Sequence, residues 1–169
     1  MRYIRILFCL AVSFGCLVVC PAQNVIDPLI KDFQTSIGTW QGSLTYLDYT
    51  TGKPFTMPAN VIVRQIDGTG TFIFENFYPN EPKANSIDTF RISKDGKRIN
   101  GESVKWRKES GNGNAEIVTE IEGKDGNDDR SAVIKQTYLI GKKIFSITKE
   151  VMFASHKVWI KRHEFSYSR

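Results

Sequence analysis

Few side chains in this chain have both the type and the company to do chemistry. There are two histidines, His156 and His163, and the three cysteines, Cys9, Cys16 and Cys20, all fall within the first twenty residues. A zinc centre needs several His, Cys or carboxylate ligands, so a multi-histidine site is excluded. A single imidazole can still ligate haem iron, and His163 alternates with Trp159, Phe165 and Tyr167 in a row of rings that would suit a porphyrin. Asp125-x-Asn127-x-Asp129 matches the first ligands of a calcium loop, but Arg130 occupies the place of the required Gly and Gln136 that of the closing Glu. That segment reads as a polar hairpin end. No Gly-x-Ser-x-Gly, phosphate loop or dinucleotide fingerprint is present, so no residue is assigned a catalytic role and no cofactor or metal is called for.

A second group of polar residues sits within apolar rows. Strand alternation puts Trp40, Leu44, Tyr46 and Asp48 on one face and Phe145, Ile147, Lys149 and Val151 on another. Arg162 follows Val158 and Ile160, and Arg91 follows Ile87 and Thr89. Charges on an inward face must pair with each other or bind something charged. Tyr46, Arg91, Lys149 and Arg162 are therefore the candidate polar lining of a binding cavity.

The elements that must position these residues are strands. Asp27 to Phe33 predicts a short helix, with Asp27 as N-cap, Pro28 at the first helical position and Leu29, Ile30 and Phe33 on one side. From Gly38 onward, runs rich in Val, Ile, Thr, Phe and Tyr alternate with Gly, Asn, Asp and Lys. They predict nine strands, at about 39–49, 55–66, 71–78, 86–93, 98–106, 115–122, 131–139, 144–153 and 158–167. The short connections join neighbours directly, so an antiparallel meander is expected. Twist and the hazard of exposed edges curl such a sheet until its first and last strands meet, giving a single up-and-down β-barrel or a half-open clam.

The N-terminus reads as a targeting segment. Arg2 and Arg5 precede an apolar run from Ile6 to Cys20 that is too short for a comfortable membrane span. A cut after Ala22 makes residues 1–22 a signal peptide and 23–169 the barrel domain. The expected destination is periplasmic or extracellular. The alternative is a lipoprotein anchored through Cys20, although Val19 stands where a small residue is wanted, and membrane contact is expected only in that case. The net charge of +5 includes both leader arginines and is too mild to point to nucleic acid. Lys94, Lys97 and Arg98 flank the turn Asp95-Gly96 and read as a solvated hairpin end.

The segment Gly38-Thr39-Trp40-Gln41-Gly42, following a short helix and entering strand one of a meander, resembles the calycin superfamily of lipocalins, fatty-acid-binding proteins and nitrobindin-like barrels. The resemblance implies a lipocalin-like barrel whose closed end is plugged by Trp40, with Gly38 and Gly42 beside it and an arginine, Arg162 or Arg169, covering the indole. It also implies haem at a single histidine, here His163, as one use of such a barrel. The chain lacks the Thr-Asp-Tyr segment of typical lipocalins and a long C-terminal helix. The leading expectation is an exported barrel that binds a small apolar or amphipathic molecule in its interior. The alternative is a barrel filled by its own side chains that acts through loops such as Pro79 to Asn85.

Overall fold

The computed structural model describes residues 27–48, 50–155 and 157–169. The apolar N-terminal run with its cysteines, and His156, lie outside the described residues. Helix α1, Pro28–Thr35, starts as its sequence requires: Asp27 Oδ1 accepts the Leu29 N–H at 2.8 Å, and Pro28 occupies the first turn.

Ten strands follow, β1 (Gly38–Leu47), β2 (Pro54–Gln65), β3 (Thr71–Phe77), β4 (Ser86–Arg91), β5 (Arg98–Ile99), β6 (Glu102–Glu109), β7 (Ala115–Asp125), β8 (Arg130–Ile140), β9 (Ile144–Phe153) and β10 (Trp159–Ser168). A 3-10 turn at Pro82–Ala84 joins β3 to β4. The extra strand arises where a single run was expected at 98–106. Asn100 and Gly101 adopt φ of 52° and 85°, a left-handed pair that breaks the run into β5 and β6.

All pairings are antiparallel, and the sheet runs β4-β3-β2-β1-β10-β9-β8-β7-β6-β5. First and last strands pair from Gln41↔Ser168 to Tyr46↔His163, so the sheet curls into a nearly closed barrel. Its seam lies between β4 and β5, bridged at Ile92↔Ile99. There Asn100 N–H donates to the Arg91 carbonyl, and Asn100 Oδ1 accepts the Arg91 N–H, both at 2.8 Å. Before Arg91, residues 86–90 of β4 pair only with β3.

One half of the barrel is packed solid. Trp40, Val61, Val63, Phe72, Ile117 and Phe145 are wholly buried there, and α1 closes that end with Leu29 and Phe33. The Phe33 ring lies 5.6 Å from Phe72 and 5.5 Å from Tyr138. Burial of each such side chain contributes about 1.5–3 kcal/mol. Asp32 ties the helix to β6 by accepting from Arg107 Nε at 2.5 Å and from its NH2 group at 2.8 Å. A smaller cluster of Ala132, Val151 and Phe153, with Ile134 and Ile160 against it, forms the other end.

Two expectations about strand faces are corrected. Arg91 is exposed, because β4 turns Asp88 and Phe90 inward and leaves Ile87 70% exposed. Phe90 decides that parity by packing 4.2 Å from Phe74 and 6.3 Å from Phe33. In β10, the register shifts between Lys161 and His163, a β-bulge at Arg162. Simple alternation therefore fails across it. Arg162 and His163 both face inward, whereas Trp159 stands outside beneath the Lys135 ammonium, 4.2 Å from its ring centre.

Candidate functional site

The closed end explains the two glycines around Trp40. Gly38 has φ of 121°, which L side chains rarely adopt. At Gly42 a Cβ would lie 2.0 Å from the Ser166 carbonyl oxygen and 2.8 Å from Tyr167 Cα, so only glycine lets β1 approach β10 there. Between them Trp40 is fully buried, and its indole N–H donates to the Ser36 carbonyl at 2.7 Å. Arg169 covers the ring, with its guanidinium carbon 4.0 Å from the centroid. The same guanidinium donates to the carbonyls of Thr35, Ile37 and Lys142 at 2.9, 2.7 and 3.0 Å. Of the two arginines left open by the sequence, it is Arg169 that lies on the indole.

Farther along the strands the packing opens into a cavity of about 360 Å³. Phe74, Phe90, Ile147, Phe165 and Tyr167 form its apolar wall, with Asn76, Asp88, Glu102, Gln136 and His163 among its polar lining. Asp88 and Phe90 of β4 and Asn100 and Glu102 beyond the β5 turn border it, so the cavity lies along the seam. Asp88 is exposed at that lip although its register partner Phe74 is buried. Asn76 Nδ2 donates to Asp88 Oδ2 at 2.7 Å.

Deeper in, the Thr119 hydroxyl donates to Glu102 Oε2. Burial pushes the Glu102 carboxyl above the usual range, outweighing the Thr119 hydroxyl, the nearby Lys149 ammonium and Gln136. Gln136 Oε1 is buried and is the one such side-chain atom without a hydrogen-bond partner among the described residues. Burial also raises the Tyr138 and Tyr167 phenols, and it lowers His163 to about 4 with help from the Lys149 charge, against the opposing Asp125. The imidazole is thus neutral at physiological pH.

His163 also faces a second opening, a cleft of about 600 Å³ bordered by Tyr46, Asp48, Asn127, Lys149 and Arg162. Asp125 holds this mouth together, accepting from Lys149 Nζ at 2.8 Å and from Arg162 Nε at 2.7 Å. Burial would push the Asp125 carboxyl up, but Lys149 and Arg162 outweigh it and hold it below the usual carboxylate range. A larger, more apolar hollow of about 690 Å³ lies by the β7–β8 hairpin and the end of β9, walled by Val133, Met152 and Phe153. It has no convergent set of buried polar groups, which makes the interior cavity the better candidate.

The fold thus gathers Tyr46, Lys149, Arg162 and His163 at one mouth and leaves Arg91 outside it. Asp88, Glu102, Asp125 and Gln136 were not singled out as lining. Asp125 carried a signal, as the first residue of an acidic hairpin directly after a strand, but its inward turn depends on the two cations that meet it. Among the described residues, no group of three or more His, Cys, Asp or Glu side chains is placed to hold a metal ion.

The chain matches no family model and no curated protein. Its fold is similar to that of Rv2717c from M. tuberculosis. The two structures superpose with a TM-score of 0.55 at 11% identity, over 86% of this chain and 99% of that one. A protein of unknown function from the DUF3598 family of Nostoc punctiforme aligns over 83% of this chain and 48% of its own, at 10% identity and a TM-score of 0.37. At these identities the likeness to Rv2717c concerns the barrel alone.

Proposed function

We propose that this protein is an exported, lipocalin-like barrel that binds a small, partly apolar molecule in its interior. The observation that carries the reading is the cavity of about 360 Å³ in which five apolar side chains face a few convergent polar groups, one of them a buried acceptor without a partner. That volume falls in the usual range of ligand sites. The calycin resemblance is supported by the covered Trp40 at one end of the barrel, with ligand access left to the seam and to the mouth beside His163. Tyr46, Lys149 and Arg162 are then lining of that mouth, not of the cavity floor.

The neutral apolar fluorophore N-phenyl-1-naphthylamine tests the reading. One-to-one binding is expected, and an Ile147→Trp variant that folds normally by circular dichroism should lose it, since the indole would occupy the cavity. Equal binding by both proteins, or none by either, counts against the proposal.

A second reading has one observation in its favour: His163 is half-buried, lines the interior cavity and is neutral, the form that ligates haem iron. A Soret band on adding haem, lost in His163→Ala, would support it. The absence of such a band with the intact protein removes it.

A further inference from the structure

The polar wall of the interior cavity carries two carboxyls and an unpartnered amide oxygen among the side chains of Asn76, Thr89, Asn100 and His163, and that acceptor group names a ligand class; the inference rests on the reading that this cavity binds a small molecule. At the seam stands the Asp88 carboxylate. Inside stand the Glu102 carboxyl, bonded by the Thr119 hydroxyl and the Gln136 side chain, and Gln136 Oε1, which has no partner. All three offer acceptor oxygens, and a buried acceptor without a donor is costly. Lys149 and Arg162, the nearest side-chain cations on β9 and β10, both donate to Asp125 at the mouth. His163 is held neutral. Phe74, Phe90, Phe165 and Tyr167 line the same cavity, and rings attract cations as well as apolar groups.

We infer that the cavity takes a small organic cation, a protonated amine on an aromatic or alkyl body, whose N–H groups bond Glu102 and Gln136 Oε1 while the body lies against Phe165 and Tyr167. An ammonium has three donors and no acceptor, which complements this wall; a carboxylate would meet two carboxyls and an orphan carbonyl. The ligand would also add a countercharge to Glu102 beside that of Lys149. Asp88, exposed at the lip of the seam, is placed to attract the cation before it enters.

Three matched probes separate this inference from the reading beneath it: 2-naphthylmethylammonium, 2-naphthylmethanol and 2-naphthoate. They are titrated at pH 7 by calorimetry and located by amide NMR shifts. The ammonium should bind about tenfold tighter than the alcohol, and the carboxylate weakest of all. Shifts should centre on Glu102, Gln136 and Phe165. Glu102→Gln should erase the preference for the ammonium, and a native circular dichroism spectrum and melting temperature show that the variant is folded. Alcohol or naphthoate binding in the cavity as tightly as the ammonium overturns the cation inference and leaves a binding barrel. An ammonium preference that survives Glu102→Gln combined with Asp88→Asn overturns it as well. If no probe perturbs the cavity residues, both the inference and the binding reading fall.

Discussion

Arg169→Ala tests how the closed end is held. The side chain covers the Trp40 ring from 4.0 Å and donates to three carbonyls, two of which belong to the helix end and its link to β1. A cation–π contact contributes about 0.5–2 kcal/mol. A charged hydrogen bond adds about 1.5–3 kcal/mol when well shielded, and partly exposed ones such as these fall near the lower value or beneath it. The expected loss is about 2–4 kcal/mol, which for a domain of this size lowers the melting temperature by roughly 5–15 °C. Arg169→Lys keeps the charge but not the planar fork, and should recover less than half of the loss. Urea unfolding followed by Trp fluorescence measures both, and a double-mutant cycle with Trp40→Phe isolates the ring contact. A change below about 0.5 kcal/mol for Arg169→Ala, or full rescue by lysine, would refute the idea that this guanidinium fastens the plug.

Three further outcomes are expected. Gly42→Ala forces a Cβ onto the Ser166 carbonyl and should cost roughly 3 kcal/mol or more, or prevent folding; a stable variant with a native melting temperature would contradict the close β1–β10 approach. Asp125→Ala leaves two cations facing each other at the mouth and should cost roughly 3 kcal/mol in urea melts, with Asp125→Ala/Lys149→Met recovering part of it; no recovery would deny the pairing. His163, ordinarily near 6.5 and held at about 4 in the fold, takes up a proton in the unfolded chain first. Stability should therefore fall as pH drops from 6.5 to 4, by up to roughly 3 kcal/mol, partly offset by the raised Glu102, which favours the fold as it protonates. His163→Phe should flatten that acid limb, and a parallel limb in the variant would show that this histidine does not govern it.

What the sequence made legible was whatever depends on neighbours in the chain. Asp27 and Pro28 announce α1, the Gly-x-Trp-x-Gly segment marks the plug, and alternating apolar runs give a curled antiparallel meander. What stayed hidden depends on partners far apart. The bulge at Arg162 puts two consecutive side chains inward, and no local pattern in β10 distinguishes it from plain alternation. Asp88 faces in and Ile87 out because Phe90, two positions on, packs on Phe33 and Phe74. Glu102 enters the interior only because Asn100 and Gly101 turn the chain just before it. Arg162 and Arg169 were equal candidates to cover Trp40 until barrel closure brought Asp125 to the first and the indole to the second.

The central claim is that the interior cavity holds a ligand, and native mass spectrometry of the protein purified from its natural source tests it most directly. The account predicts a native mass above the denatured mass by that of one small molecule, with the excess lost from the Ile147→Trp variant. Equal native and denatured masses for a protein that also fails to bind the naphthyl probes would contradict it.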